Sequence, residues 1–410
     1  MIETTDVAVI GAGPSGSIAA ALLRQHDLKV TVLEQATFPR FSIGESLLPQ
    51  CMEYIREAGL EEAVDRAGFQ YKNGAAFARD GRYAAFDFRD KFSSGRGTTY
   101  QVQRATFDHL LASEAATTGA EFRYRHRLEA FDYHEGQPLL SYRDDQDRPR
   151  QLKAGYVLDA SGFGRVLPRL LDLELPSDFP VRMAMFTHIE DRISDPAHDR
   201  DKILIVVHPE HDDVWYWLIP FSNGRCSVGV VARRDFFTDP TDTSEQRIAV
   251  LQNALAQSPD LTRLLDEAVF DTEGRVIGGY SCKVKSLWGP GFALLGNAGE
   301  FLDPVFSSGV TIAMKSASLA APLVARQLTG GTVDWEQEYA EPLRGGVDTF
   351  RTYVTGWYDG SFQKVVFATN HQPQVRAMIS SILAGYAWDT ENPFVRDSQR
   401  RLNTLVALCA

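Results

Sequence analysis

The segment DVAVIGAGPSGSIAAALLRQHDLKVTVLE, residues 6–34, carries the strongest structural signal in the chain. A β-rich apolar run leads into the turn GAGPSG (11–16), which fits G-x-G-x-x-G, and a helix-forming stretch follows it. A second apolar run then ends at Glu34, 18 residues after Gly16. Strand, glycine turn, helix, strand and acid, in that order, form the pattern of a dinucleotide-binding β-α-β unit.

Each glycine of this turn has its own physical task. The first permits the tight turn, the second lets the backbone approach a pyrophosphate, and the third lets helix and strand pack closely. The helix N-terminus offers free N–H groups and a positive dipole to phosphate, and the acid can accept hydrogen bonds from a ribose. The predicted dinucleotide contacts in this segment are Gly11, Gly13, Pro14, Ser15, Gly16 and Glu34. The turn alone leaves both FAD and NAD(P) open.

Length and composition restrict the class of protein. The chain has 410 residues, 44% of them hydrophobic, and a formal net charge of −12. At roughly 150 residues per domain, this length predicts about two to three structural units. The acidic balance argues against a nucleic-acid partner or an anionic membrane surface. The four cysteines form no C-x-x-C pair, so we predict neither a disulfide framework nor a metal site.

The N-terminal residues lack the basic region of a signal peptide. We also find no run of about 18 apolar residues, the length that a membrane-spanning helix needs. We therefore predict a cytoplasmic protein with no transmembrane segment.

Four further segments extend the nucleotide signal along the chain: FPRFSIGESLLP (38–49), RATFD (104–108), VLDASG (157–162) and LLGNAG (294–299). Together with the glycine turn they resemble the FAD-dependent halogenase family and its geranylgeranyl-reductase-like and aromatic-hydroxylase relatives. The match covers about residues 5–325 and favours FAD over NAD. Its implied cofactor contacts are Arg40, Ser46, Arg104, Asp159, Asn297, Asp303 and Gly309.

One of these positions departs from the family pattern. The last segment usually carries Gly-Asp, and this chain has Gly296-Asn297. An amide keeps a hydrogen-bonding side chain but removes a charge beside an anionic cofactor.

The segment WYWLIP (215–220) fits W-x-W-x-I-P, a motif associated with flavin-dependent halogenases. Strand alternation places Trp215, Trp217 and Ile219 on one face, and Pro220 ends the strand. By the resemblance, the two tryptophans lie between flavin and substrate and keep the activated flavin from hydroxylating the substrate directly. The alternative is an aromatic strand that only packs in a core.

Lys72, in FQYKNGAAF (69–77), resembles the lysine that points into the chamber above the flavin in halogenases. Such a lysine donates a hydrogen bond to hypohalous acid or forms a haloamine, and burial that lowers its pKa aids either role. The alternative is a solvated surface lysine.

The segment FLDPVFSSGV (301–310) fits F-x-x-P-x-x-S-x-G and precedes a helix of small and apolar residues. A loop that enters a helix N-terminus can bind an anion, so the match makes Ser307, Ser308 and Gly309 the candidate halide contacts. The alternative is a flavin-contacting helix start without halide. In one relative the residue that matches Asp303 is joined covalently to flavin, which stays open here.

Phe306 narrows the substrate class. Tryptophan halogenases carry Glu at this position, which holds the substrate and assists proton removal. Because Phe cannot act as a base, the sequence resembles the phenol- and pyrrole-type branch, whose substrates are often tethered to an acyl-carrier protein. Free tryptophan is disfavoured.

The expected architecture is α/β, with a doubly wound FAD-binding domain formed by residues 1–85, 100–172 and 271–330. Apolar runs at 181–188, 203–207, 214–220 and 226–232 predict an inserted antiparallel sheet, so residues 86–99 and 173–270 form a substrate domain. Residues 331–410 are mostly helical in pattern. Their role, as a packed bundle, a lid, a dimer surface or a membrane-facing patch, is open.

We therefore predict an FAD-dependent halogenase that uses reduced FAD, O2 and halide on an electron-rich aromatic ring. The reduced flavin is expected from a partner flavin reductase, or from NAD(P)H. An aromatic monooxygenase, a prenyl-chain reductase and a non-enzymatic flavin scaffold are the alternatives. An acyl-carrier protein is typically acidic, so its docking on this negatively charged protein requires a local basic patch. The candidates are Arg165 with Arg169, or Lys283 with Lys285.

Overall fold

The computed structural model describes residues 2–237, 241–369 and 372–409. The strands in this part of the chain are β1 (Glu3–Ile10), β2 (Val30–Glu34), β3 (Gln70–Lys72), β4 (Gly74–Arg79), β5 (Arg82–Asp87), β6 (Thr99–Gln101), β7 (Glu121–Tyr124), β8 (Arg127–His134), β9 (Gln137–Arg143), β10 (Pro149–Asp159), β11 (Glu174–Leu175), β12 (Arg182–Glu190), β13 (Lys202–Val207), β14 (Trp215–Pro220), β15 (Arg225–Arg233), β16 (Arg275–Gly278), β17 (Lys283–Val284), β18 (Trp288–Gly289) and β19 (Phe292–Leu294).

The helices in the same residues are α1 (Pro14–Arg24), α2 (Cys51–Glu57), α3 (Glu61–Arg66), α4 (Arg104–Thr117), α5 (Val166–Leu170), α6 (Ser244–Leu255), α7 (Pro259–Leu264), α8 (Ser308–Leu328), α9 (Glu341–Tyr358), α10 (Ser361–Val366), α11 (Pro373–Leu383), α12 (Pro393–Arg396) and α13 (Ser398–Leu408). A 3-10 turn, Pro304–Phe306, precedes α8.

The first sheet has the order β18-β19-β10-β1-β2-β7. Its pairings from β19 to β7 are parallel, and β8 and β9 form a hairpin attached to β10. Ile10, at the end of β1, pairs with Leu33 on one side and Asp159 on the other. Because β1 has parallel neighbours on both sides, the carboxyl ends of these strands meet at a topological switch point, the usual ligand position in such sheets. The predicted doubly wound domain is confirmed.

The second sheet has the order β16-β12-β15-β14-β13-β4-β5. It contains the four predicted strands of the inserted domain as β12 to β15, paired antiparallel. It also contains β4 and β5, which join it through a parallel pairing of β4 with β13, and β16, which pairs with β12. The sequence placed most of these three strands in the flavin domain, whereas β4, β5 and β16 are hydrogen-bonded into the second sheet.

The two faces of the second sheet pack against different partners. One face packs on α6 and α7. The other carries both tryptophans of the motif and packs with the C-terminal helices α9 to α13 in one aromatic-rich core. The C-terminal helices thus pack on the tryptophan-bearing face of the second sheet, in agreement with the predicted helical pattern.

Helix α8 is long and apolar enough, by length and composition, to cross a membrane. Two thirds of that stretch (67%) is buried inside the molecule, where it packs against α1 and the other helices of the flavin domain. Burial of this extent is typical of a helix in the core of a protein. In the described residues we find no second helix that passes the same test.

Candidate active site

A cavity of about 380 Å³ opens at the carboxyl ends of the parallel strands. One of its walls is the glycine turn after β1, and another is the tryptophan-bearing face of β14. The predicted site residues that line it are Gly11, Gly13, Pro14, Ser15, Glu34, Arg40, Ser46, Arg104, Trp215, Trp217, Asn297, Ser307 and Gly309. A single space is therefore continuous from the dinucleotide turn to the tryptophan motif.

Close packing requires glycine at two positions of the turn. Gly11 has φ +96°, and a Cβ there would lie 2.7 Å from the Ala160 carbonyl oxygen. A Cβ on Gly16 would lie 2.0 Å from the Gly11 carbonyl oxygen, so α1 can approach β1 only without a side chain. Gly16 does not itself contact the cavity, and its role is to bring the N–H groups of the first turn of α1 to the cavity wall.

Glu34 is held at the cavity by the backbone. Its Oε2 accepts a hydrogen bond from Ala12 N at 2.9 Å, and its Oε1 accepts one from Ala36 N at 2.9 Å. The guanidinium of Arg40 lies 3.6 Å from Glu34 Oε2 and 3.3 Å from Asp108 Oδ2. Each carboxylate oxygen keeps a second lone pair, so the group can still accept ribose hydroxyls.

Arg104 organises the loop that follows β2. Its guanidinium forms a bidentate pair with Asp108, one turn later on α4, at 2.6 and 2.9 Å. It also donates to the carbonyl oxygen of Ile43, which lines the cavity. Arg104 therefore lies at the cavity and fixes the loop that carries Ser46.

Asp159 has a structural role in the described residues. Its carboxylate is fully buried and accepts hydrogen bonds from Ser161 N at 2.9 Å and Leu167 N at 2.7 Å. Burial raises its pKa. It does not line the cavity, whereas the loop that it holds, from Ala160 to Gly164, does. Asp159 therefore supports the cavity-lining loop, and its predicted contact with the cofactor stays a prediction.

Asn297 has a buried side-chain oxygen, Oδ1, without a hydrogen-bond partner among the described residues. The residue lines the same cavity as the glycine turn. A buried amide oxygen left unpaired is costly, so its position calls for a donor such as a ribityl hydroxyl. The glycine turn, Glu34 and Asn297 together fit FAD.

The tryptophan motif forms β14 as predicted, and both rings face the cavity. The rings lie 6.0 Å apart at 48°, with less than 5% of each residue exposed. Trp217 Nε1 donates to Ser227 Oγ at 3.0 Å, within the same sheet. Trp215 Nε1 donates to the hydroxyl of Tyr358 at 2.9 Å, from the end of α9. Each indole N–H therefore has one fixed oxygen partner.

The loop before α8 brings the candidate halide contacts to the same cavity. Ser307 and Gly309 line it, and Ser308 is buried behind them. Asp303 accepts hydrogen bonds from Val305 N at 3.0 Å and from the Tyr358 hydroxyl at 2.9 Å, and it does not line the cavity. Burial raises the pKa of Asp303 to about 6. The first N–H groups of α8 have no carbonyl acceptors in the helix and are free for an anion.

Lys72 is completely buried. Its Nζ donates to Ser46 Oγ and to the Leu47 carbonyl oxygen, each at 2.7 Å, and lies 5.5 Å from the ring centre of Phe88. Burial lowers its pKa to about 7. The solvated surface lysine considered as the alternative is excluded. Lys72 does not line the cavity, but Ser46, its hydrogen-bond acceptor, does.

Phe306 also lies behind the cavity wall. Its ring packs edge-on against Trp357 at 5.7 Å and Phe362 at 5.5 Å, both from the C-terminal helices. Phe306 thus belongs to the aromatic core and provides no polar group at the site.

Sequence reasoning missed a carboxylate at the cavity, Glu45. Glu45 Oε1 lies 2.6 Å from His188 Nε2, while its Oε2 is buried without a partner among the described residues. Glu45 lines the cavity next to Ser46. The sequence does show an acid inside the 38–49 segment, which could have suggested Glu45 as a site residue. Nothing in the sequence links it to His188, which lies 143 residues later.

Comparison with known proteins identifies the family. A family model for an FAD binding domain matches residues 4–282, and one for tryptophan halogenase matches residues 209–367. A pyrrole-2-carbonyl-[peptidyl-carrier protein] brominase of Pseudoalteromonas luteoviolacea is 28% identical over 95% of this chain and 94% of its own length. The chain belongs to the FAD-dependent halogenase family. FAD is accordingly the cofactor, and halide and O2 are the co-reactants of the family's reaction.

Two further comparisons cover almost the whole chain. A pyrrole-2-carbonyl-[peptidyl-carrier protein] chlorinase of Pseudomonas fluorescens is 26% identical over 97% of this chain and 92% of its own length. The crystal structure of a flavoprotein/dehydrogenase from Cytophaga hutchinsonii superimposes with a TM-score of 0.94 and is 43% identical over 99% of both chains. The similarity therefore extends through the C-terminal helices.

Proposed function

We propose that the protein halogenates an electron-rich aromatic acyl group, of the pyrrolic or phenolic type, while this group is tethered to a carrier protein. The observation that carries the proposal is the single cavity lined by both the dinucleotide turn and the tryptophans of W-x-W-x-I-P. When bound, reduced FAD and O2 supply the oxidation of halide to hypohalous acid. All other steps depend on side chains and backbone groups of the chain.

Binding of the cofactor uses groups that are already oriented. The first turn of α1 would hold the pyrophosphate, Glu34 would hold the adenosine ribose, and the unpaired Asn297 Oδ1 would accept a hydrogen bond from the ribityl chain. Halide binds at the N–H groups of Ser308 and Gly309, where the positive end of α8 favours an anion.

Lys72 directs the oxidised halogen. At a pKa of about 7, it holds its proton in a large fraction of molecules at neutral pH. The protonated amine donates a hydrogen bond to hypohalous acid, and the neutral amine can take the halogen from it to form a haloamine, with release of water. Access from the cavity requires a shift of Ser46, which now accepts the hydrogen bond of Lys72.

Glu45 is the candidate acceptor for a substrate hydrogen bond. Glu45 lines the cavity, its buried Oε2 has no partner among the described residues, and His188 holds the other oxygen. A pyrrole N–H or a phenol O–H satisfies this oxygen, and the acceptor increases the electron density of the ring as that group donates. Phe306 stands where tryptophan halogenases carry the Glu that holds the substrate and assists proton removal. We assign that task to Glu45 in this protein.

The carrier is proposed from the relatives. The brominase and the chlorinase are both named for pyrrole-2-carbonyl groups on peptidyl-carrier proteins. Arg165, one of the four basic residues proposed for docking, follows Gly164 and precedes Val166, and both of these neighbours line the cavity. A carrier bound at that rim could deliver a tethered ring to the cavity.

The test supplies the purified protein with FAD, a flavin reductase, NADH, O2, and chloride or bromide. Pyrrole-2-carbonyl thioester on a carrier protein and a panel of free phenols serve as substrates, and mass spectrometry follows the products. We expect halogenated carrier-bound pyrrole. A hydroxylated product that is never halogenated would show a monooxygenase instead.

Lys72→Ala tests the residue at the centre of the proposal. The variant should lose halogenated product by about 100-fold or more and still oxidise reduced FAD. The matched control is Lys29→Ala. Lys29 is exposed and lies at the amino end of β2, whereas the cavity lies at the carboxyl ends of the strands. Equal product yields from Lys72→Ala and Lys29→Ala would remove Lys72 from the mechanism.

A further inference from the structure

Tyr358, the last residue of α9, lies at the junction of three separate parts of the molecule. Its hydroxyl accepts a hydrogen bond from Trp215 Nε1 on β14 and donates one to Asp303 Oδ2, in the loop before α8, each at 2.9 Å. The guanidinium carbon of Arg182, on β12, lies 3.4 Å from the centre of its ring. The two sheet strands, the flavin-side loop and the C-terminal helices thus meet at one side chain.

The directions of these hydrogen bonds are fixed by chemistry. An indole N–H can only donate, and an ionised carboxylate can only accept. The single hydroxyl hydrogen of Tyr358 therefore points to Asp303, and its lone pair faces Trp215. Because Asp303 is also held by Val305 N at 3.0 Å, its carboxylate is a fixed anchor for the chain of hydrogen bonds.

The two tryptophans of the motif are anchored differently. Trp217 is fixed within the second sheet, through Ser227 on the neighbouring strand. Trp215 is the cavity-lining tryptophan whose polar atom depends on the C-terminal helices. If the Tyr358 hydroxyl is removed, the buried indole N–H loses its acceptor, and the ring can gain a new one only by turning.

We infer that Tyr358 is a positioning residue: its hydroxyl fixes the Trp215 indole at the cavity and couples it to the loop that carries the candidate halide contacts. This role gives the C-terminal helices a function in the reaction, which the sequence left open. The consequence for products rests on the proposed halogenase function, whereas the orientation of Trp215 does not.

The decisive variant is Tyr358→Phe, which keeps the ring stacked on Arg182 and deletes only the hydroxyl. Its matched control is Tyr353→Phe on the same helix, since the Tyr353 hydroxyl donates to the Phe394 carbonyl oxygen at 2.8 Å and is not bonded to Trp215. We expect halogenated product per O2 consumed to fall about tenfold in Tyr358→Phe, with peroxide released in its place. Tyr353→Phe should match the wild type in this ratio. Equal ratios in both variants would overturn the inference.

A spectroscopic measurement tests the orientation without any product. The chain has six tryptophans, so 15N-indole labelling gives six N–H signals, and Trp215→Phe assigns one of them. In Tyr358→Phe that signal should shift, and in Tyr353→Phe it should not. An unchanged Trp215 signal in Tyr358→Phe would contradict the positioning role even if no substrate of the enzyme were known.

A double variant tests whether Tyr358 acts through Trp215. If it does, adding Tyr358→Phe to Trp215→Phe should cause no further loss of product per O2. Full additivity of the two losses would show that Tyr358 acts by another route and would overturn the inference. Absence of halogenated product in the wild type would reject the proposed function alone, and the indole signal would then decide the positioning role.

Discussion

Lys72 combines a charged group with complete burial and two neutral acceptors. An ammonium removed from water loses hydration energy that hydrogen bonds to a hydroxyl and a carbonyl oxygen only partly replace. Arg104, also buried, differs because Asp108 pairs with it through two hydrogen bonds. The fold therefore bears a cost at Lys72 that a purely structural position would avoid, and the lowered pKa of about 7 follows from that cost.

This cost predicts a pH dependence of stability. Burial lowers the pKa of Lys72 from 10.5 to about 7, so between these values the unfolded chain holds a proton that the folded chain has released. The contribution of Lys72 to the free energy of unfolding thus rises with pH in this window, by up to about 1.4 kcal/mol per pH unit, and is constant below about pH 7. Lys72→Met should remove the slope.

Urea unfolding of the wild type and of Lys72→Met at pH 7, 8 and 9 measures the effect. The variant should be the more stable protein at pH 7, and the difference should shrink as pH rises. Lys29→Met, at an exposed lysine, provides the control, with no such convergence expected. Parallel stability curves for the wild type and Lys72→Met would contradict a lowered pKa at this position.

At the scale of elements, local sequence patterns predicted which residues share one face of a strand, but not which strands and side chains contact each other. The alternation in WYWLIP was sufficient to place Trp215 and Trp217 on one face of a strand, because a strand has a period of two. The pairing of β4 with β13 was missed, since nothing in either segment encodes a parallel neighbour so distant in sequence. Glu45 with His188, and Trp215 with Tyr358, each join residues 143 positions apart, and only the folded chain brings them together.

Gly229, on the strand next to the tryptophan motif, leaves space for the Trp217 ring. It lies opposite Trp217 in the register of β14 and β15, and a Cβ there would lie 2.3 Å from the Trp217 ring. Gly229→Ala should therefore push the ring from its position at the cavity, lower product yield by about tenfold and destabilise the fold by about 1–3 kcal/mol. Gly345→Ala in α9, where a Cβ meets nothing within 4 Å, is the control and should keep full activity.

Product yield and thermal unfolding of these two variants separate the effects. The affinity for FAD, followed by flavin fluorescence, should change less than product yield in Gly229→Ala, because the glycine turn is untouched. If Gly229→Ala retained wild-type yield, the position of the Trp217 ring would not matter for the reaction.

At the scale of the whole molecule, the net charge is −12, so the four basic residues predicted for carrier docking matter for where an acidic partner can bind. Strand β11 pairs with β17, and this pairing brings Lys283 beside the segment that contains Glu174, the partner of Arg165 and Arg169. The two candidate patches, Arg165 with Arg169 and Lys283 with Lys285, therefore form one surface. Its acids, Asp172, Asp178 and Glu174, pair with its basic side chains, so the excess of positive charge is small.

This surface predicts how a carrier protein would respond to charge. Lys283→Glu with Lys285→Glu makes this surface acidic, so an acidic carrier that docks beside Arg165 should be repelled. We expect KM for the carrier-bound substrate to rise about tenfold at low salt, and the rise to shrink above about 0.15 M salt as the charges are screened. KM for a free phenol should not change. Lys29→Glu with Lys364→Glu, at two exposed lysines outside this surface, changes the net charge by the same amount and is the control, so an equal rise in that variant would place carrier docking elsewhere on the molecule.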